Sequence, residues 1–373
     1  MKPSVYKNLF KPLKTGGLRL KNRITMAPLY LGYAAAGGKV SPLLLYHYKE
    51  MARSGAAMIM IENASITAGG SGSDRTIRCD HDRYLNGLEK LALTIKDESS
   101  CAGLQLNHAG RFACAAEPVA PSAVPVFGRT PRELSRKEIA TLQKRFAAAA
   151  LRAKKAGFDL VELHGGTGYL LSQFVSPRTN RRGDTYGGPI ENRIKFPVEV
   201  LRRVKDAVGD FPVGYRFLAD EWLPDGLGLN ESSVLAKALE ADGIAYLSVM
   251  GGTYESFFLP DIVMKSKKSG YMTSLAGAIK KQVRVPVIAA GRISTPAKAE
   301  SVLANKQADL IGLARMLWVD PAWPQKAKTG ADRSILRCSP RCDACFQLVM
   351  QGKPAFCPRW RKEKRALYRT LFR

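Results

Sequence analysis

Eight apolar runs, spaced along the chain and separated by loops and amphipathic stretches, constrain this sequence more than any other feature. They are "RITMAP" (23–28), "AAMIMIENASI" (56–66), "GLQLNHAG" (103–110), "FDLVELHG" (158–165), "PVGYRFLA" (212–219), "IAYLSVMGG" (244–252), "VPVIAAGRI" (285–293) and "ADLIGLARM" (308–316). Most are continuous rather than alternating, the pattern of strands buried on both faces. Between the third and fourth runs, 135–156 predicts a helix. Ser135 and Glu138 make a capping box, Ile139, Leu142, Phe146 and Ala150 share one face, and Gly157 stops it. Strands alternating with helices over about 300 residues predict an α/β fold, a (β/α)8 TIM barrel. The alternative is a doubly wound open sheet, which carries a Gly-rich phosphate loop after its first strand. Here "MAPLYLGY" follows instead.

A barrel places its chemistry at the C-terminal ends of its strands. The residues closing the runs are Pro28 to Tyr30, Glu62 and Asn63, Gln105 to Arg111, His164 to Tyr169, Arg216, Gly251 and Gly252, Gly291 and Arg292, and Ala314 and Arg315. Histidine and tyrosine, as in His164 and Tyr169, suit polarising a carbonyl and delivering a proton. Gly291–Arg292 and Ala314–Arg315 each join a small residue to an arginine at the last two strands, where barrels bind phosphate through backbone N–H groups. Gln105 and Arg216 can hydrogen-bond a planar heterocycle.

Of 373 residues, 58 are Lys or Arg and 32 Asp or Glu, a net charge of +26. Much of the excess lies at the ends: nine basic residues precede the first acid, Glu50, and "RWRKEKRALYRTLFR" closes the chain. Such a balance suits an anionic partner (nucleic acid, an acidic protein, a phospholipid surface or a phosphorylated substrate) and equally suits a solvated surface. No apolar run reaches the ~20 residues of a membrane helix. The N-terminus lacks the apolar core of a signal peptide. A cytoplasmic location is expected, and there grouped cysteines are metal ligands rather than disulfides. Four of the seven cysteines lie in "CSPRCDACFQLVMQGKPAFC" (338–357), spaced Cys-x3-Cys-x2-Cys-x11-Cys. Zinc and iron–sulfur both remain open: only Cys342–Cys345 forms a Cys-x2-Cys hook, while Pro358 after Cys357 is an iron–sulfur habit.

From about residue 8 to 358 the chain resembles the old yellow enzyme family of NADH:flavin oxidoreductases, through "LKNRITMAP", "LQLNHAGR", "APSAVP", "PRELSRKEI", "AGFDLVELHGGTGYLLSQFVSP" and "DTYGGPIENR". It is most similar to the iron–sulfur branch that includes 2,4-dienoyl-CoA reductase and trimethylamine dehydrogenase. The resemblance implies FMN at the barrel mouth, in contact with Ala27, Pro28, Leu29, Tyr30 and Asn63. Gln105 would meet the pyrimidine edge and Arg216 the N1 and O2 side, with the phosphate at Gly291, Arg292, Ala314 and Arg315. Tyr169 matches the family's proton donor. His164 matches the first of two residues that bind a substrate carbonyl or anion. The second, usually His or Asn, is Thr167, which cannot become cationic. Tyr30 stands where small polar residues are frequent. A [4Fe-4S] cluster on Cys338, Cys342, Cys345 and Cys357 is implied too, although relatives commonly show Cys-x2-Cys-x3-Cys-x11-Cys and here the second cysteine is moved by one.

The implied organisation is an FMN-binding barrel (1–330), an iron–sulfur segment (331–358) and a basic tail (359–373), without the C-terminal nucleotide-binding domains of the larger relatives. The implied reaction is hydride transfer from flavin N5 to the β-carbon of an activated alkene, an enone or enoyl-CoA type. Tyr169 would protonate the α-carbon, while His164, with Thr167, would hold the carbonyl. Electrons would come from NAD(P)H, or from an acidic electron-transfer protein through the cluster. Three alternatives are an amine dehydrogenase passing electrons from FMN to the cluster, a dihydrouridine synthase-like RNA-modifying barrel, and a binding protein on a degenerate barrel. The fourth-strand motif and the cysteines disfavour the second, and with it a nucleic-acid partner.

Overall fold

The computed structural model describes residues 5–371. Eight parallel strands close into a barrel: β1 (Ile24–Met26), β2 (Met58–Ser65), β3 (Cys101–Asn107), β4 (Leu160–Gly165), β5 (Val213–Asp220), β6 (Tyr246–Gly251), β7 (Val287–Ala289) and β8 (Leu310–Leu313). Closure is made by β8 pairing with β1, Ile311 opposite Ile24 and Leu313 opposite Met26. Each strand falls inside or across one of the eight apolar runs, and the fold is the expected TIM barrel. The continuity of those runs has a direct cause. Every residue of β2 is buried, because one face meets the barrel interior and the other the helical layer. The helix Arg136–Lys155 starts at Ser135, whose hydroxyl accepts the Glu138 N–H, and buries Ile139, Leu142, Phe146 and Ala150.

The barrel floor is plugged. A hairpin of Leu13–Thr15 and Leu18–Leu20 precedes β1. Its Leu18 and Leu20 join Met58, Met60, Leu160, Tyr246, Ile288 and Leu310 in one apolar cluster. Met58, Leu160, Tyr246 and Leu310 are the first residues of β2, β4, β6 and β8, so alternate strands supply the layer. Each such side chain contributes roughly 1.5–3 kcal/mol when fully buried. With the floor filled, the barrel opens only at the C-terminal ends of its strands.

Above that layer the parallel register collects polar groups. Gln105 lies opposite Glu162, His164 opposite Arg216, and Arg216 opposite Ser248. Glu162 and His164 are two residues apart and share a face, so all five project to one side.

The stretch expected to be a basic tail is a docked element. Residues Lys362–Leu371 form a helix, and Trp360, Lys364 and Tyr368 recur along one side. Trp360 and Tyr368 are buried with ring centroids 4.4 Å apart, and Trp360 donates its indole N–H to the Trp318 carbonyl at 3.1 Å. Lys364 bonds Glu50 of the helix Pro42–Ala52 at 2.7 Å. Charge counting hid an apolar stripe with helical spacing. Residues 372–373 of that stretch lie outside the described residues. Among the described residues no helix is long and apolar enough to cross a membrane.

Candidate active site

A cavity of about 710 Å³ lies at the strand ends, within the range of small-ligand sites. Ala27, Leu29, Tyr30, Arg216, Gly291, Arg292, Ala314 and Arg315 line it, as do Cys338, Cys342 and Cys345. Its polar end is built for an anion. Arg292 donates from Nε to the Ser266 carbonyl at 2.8 Å, while its buried Nη1 has no partner among the described residues. Burial and the neighbouring Arg315 cation both weaken its hold on its proton. Two adjacent guanidinium groups with an unused donor are unfavourable alone and favourable around a phosphate.

Deeper in the barrel, Glu162 anchors the polar layer. Its carboxylate accepts from Gln105 Nε2 at 2.8 Å and Tyr246 Oη at 3.0 Å. Arg216 Nη1 reaches Ser248 Oγ at 2.8 Å. Burial pushes the Glu162 carboxyl up, opposed by the Arg216 cation. Arg216, which reaches the cavity wall, is the cation that can face a ring carrying negative charge. Gln105, Asn63, Pro28, His164, Thr167 and Tyr169 lie outside the cavity lining, although Arg216, opposite His164, and Met250, which Thr167 touches, are part of it. Gln105 is instead tied to Glu162, and Asn63 is buried with its Oδ1 unpartnered among the described residues.

The fourth-strand motif builds the donor pair. His164 Nδ1 accepts the Gly166 N–H at 3.2 Å, so a neutral ring carries its hydrogen on Nε2. Burial first, then the Arg216 cation, hold His164 well below the usual imidazole range. It therefore offers an N–H donor and not a cation. Tyr169 packs edge-on to it at 4.8 Å between centroids, and burial raises its phenol far above the usual value. Thr167 has a left-handed φ of +61°, costly for a β-branched residue, and its hydroxyl donates to Met250 Sδ at 3.5 Å. Backbone strain of this kind clusters at sites whose surroundings impose it. Tyr30 bonds Ser73 through its hydroxyl, and burial pushes that phenol up to about 12.

Sequence reasoning missed Glu162 and Tyr254. The carboxylate sits inside "ELHG", two residues before His164. Tyr254 follows Gly251–Gly252, which closes the sixth run, and its Oη lies 2.8 Å from Tyr169 Oη.

All seven cysteines are free thiols. Burial pushes up the Cys345 and Cys357 thiols, and both feel Cys338 and Cys342. Cys338 also touches Arg292, which couples the cysteine segment to the anion end of the cavity. Among the described residues no three His, Cys, Asp or Glu side chains are grouped closely enough to hold one metal ion. Cys338, Cys342 and Cys345 line the cavity, and the charge of each would act on Cys357.

A plugged parallel barrel with paired arginines, a buried cation and a His–Tyr donor pair at its open end defines a flavin-type oxidoreductase site. Residues 8–334 match the model of the NADH:flavin oxidoreductase / NADH oxidase family, and the chain belongs to that family, the old yellow enzymes. It is 41% identical over 343 residues to an NADH oxidase of Thermoanaerobacter brockii, covering 89% of this chain and 52% of that protein. It is 35% identical over 324 residues to an NADPH dehydrogenase of Bacillus cytotoxicus, covering 86% and 91%. A 2-naphthoyl-CoA reductase complex superposes with a TM-score of 0.90 at 28% identity, over 95% of this chain and 57% of the other. The chain thus spans about half the length of the Thermoanaerobacter relative.

Proposed function

We propose that this chain is an FMN-dependent reductase of activated C=C bonds, fed by NAD(P)H. The observation that carries the reading is the pair of buried donors, the His164 N–H and the Tyr169 O–H, with rings 4.8 Å apart and His164 opposite the cavity-lining Arg216. Arg292, Arg315, Gly291 and Ala314 would hold the FMN phosphate, and Arg216 would face the ring. Bound FMN supplies the hydride chemistry. His164, kept neutral, orients and polarises the substrate carbonyl without adding charge to the site. Tyr169 holds the proton for the α-carbon, and its burial keeps that proton in place until a base forms beside it. Likeness to a naphthoyl-CoA reductase supports an enone or enoyl-thioester substrate.

Cys338, Cys342, Cys345 and Cys357 would carry a [4Fe-4S] cluster, a one-electron carrier placed beside the Arg292 end of the cavity. An acidic electron-transfer protein is then a second route for electrons. Free thiols suit a reducing, cytoplasmic setting.

The test is anaerobic. Purified protein is analysed for flavin, iron and sulfide, reduced with NADH or NADPH, then mixed with enones, enoyl-CoA thioesters or amines. Reoxidation by an alkene supports the reading. Reduction of the flavin by amines, with no reaction toward alkenes, would replace it with amine dehydrogenation.

A further inference from the structure

Tyr169 is buried, and a phenolate in such a place is costly unless a donor stands beside it. Tyr254 supplies one. Its Oη is 2.8 Å from that of Tyr169, and burial raises the Tyr254 phenol too, so both hydroxyls sit in the interior. Its loop is firmly held. The Thr253 N–H donates to Ser256 Oγ at 2.8 Å, Arg111 pairs with Glu255, and Arg178 reaches Glu255 at 3.1 Å. The Phe112 ring packs edge-on to both tyrosines, at 5.2 Å from Tyr254 and 6.4 Å from Tyr169. Nothing in the fourth-strand motif encodes this partner: β6 brings it there.

We propose, resting on the alkene-reduction reading above, that Tyr254 is the positioning residue that holds and stabilises the Tyr169 hydroxyl as it gives up its proton. When Tyr169 protonates the α-carbon, its O–H bond breaks and a C–H bond forms. The Tyr254 hydroxyl donates to the phenolate as it develops. The Tyr254 O–H bond stays intact, and the Tyr169 phenolate takes a proton from solvent once product has left. The hydride and its electron pair come from flavin reduced by a nicotinamide, and the tyrosine pair handles only the proton.

The experiment uses Tyr254→Phe, which keeps the ring against Phe112. In the oxidised holoenzyme, position 169 is replaced by a trifluorinated tyrosine, whose phenol ionises in an accessible pH range, and its titration is followed by fluorine NMR. Removing the Tyr254 hydroxyl is expected to raise that midpoint by about one pH unit or more. An unchanged or lower midpoint overturns the proposal. In stopped flow, reoxidation of the reduced variant by an enone should slow roughly tenfold to hundredfold, with flavin reduction by NAD(P)H within about twofold of wild type. Equal slowing of both half-reactions also overturns it. Wild-type protein that passes electrons to no enone or enoyl thioester refutes the alkene reading instead, and the midpoint alone then decides whether the two phenols are coupled.

Discussion

Replacing Arg292 with Met should weaken FMN binding while leaving the flavin-free protein no less stable. Arg292 donates to the Ser266 carbonyl at 2.8 Å, touches Cys338, and buries Nη1 with no partner among the described residues. Losing the first costs about 1 kcal/mol, and relieving the unsatisfied donor returns about 1–3 kcal/mol. Removing the repulsion from Arg315 adds to the gain. With FMN present the sign reverses, because a charge-assisted hydrogen bond to the phosphate, worth about 1.5–3 kcal/mol, is lost. That corresponds to about 10- to 150-fold in Kd. Quenching of flavin fluorescence gives the affinity, and thermal melts with and without FMN give the stability. Riboflavin, which lacks the phosphate, should bind variant and wild type alike. An FMN affinity within about threefold of wild type, or a flavin-free protein that melts several degrees lower, would refute the assignment of Arg292 to an anion site.

Tyr169→Phe should slow alkene-dependent reoxidation by about 10²- to 10⁴-fold and leave flavin reduction nearly unchanged, which rapid-mixing absorbance distinguishes. His47 is fully buried, has no partner for either ring nitrogen among the described residues, and is pushed down to about 3 by burial. The folded protein refuses a proton that the unfolded chain accepts below about pH 6.5, so stability is lost as pH falls through that value. Between pH 6 and 5 the wild type should lose about 1 kcal/mol more than His47→Phe in urea titrations. Cys345→Ser should lower iron per chain without lowering flavin per chain, and wild-type iron content would count against a four-cysteine cluster. Ser135→Ala should cost about 1 kcal/mol and leave turnover unchanged, since the cap lies on an outer helix.

The barrel was legible because its constraint is local and repeated. A strand buried on both faces must be apolar at nearly every position, and β2 shows that along its whole length. The helix Arg136–Lys155 was equally legible, since its cap and stripe are contiguous in sequence. Arg292, Arg315 and Arg216 were readable as strand-end residues, and they do meet at the cavity. Gln105 was readable as a strand-end polar group, but not its engagement with Glu162, which depends on the register of β3 against β4. Tyr254 gave no signal of its own, because its meaning lies in an oxygen on another strand's loop.

The C-terminal stretch shows the same division. Its basic composition was plain, and the burial of Trp360 and Tyr368 against Glu50's helix was not, because periodicity shows a face without naming what covers it. Sequence by itself determined the architecture, the end of the barrel that works, and the residue types available there. Tertiary structure decided which of them touch: the neutral state of His164, the strained Thr167 turned toward Met250, the paired phenols, and the cysteines set beside Arg292. The physical reason is range. Burial patterns repeat every two or four residues and survive in one dimension, whereas hydrogen bonds and desolvation depend on atoms brought together from distant parts of the chain.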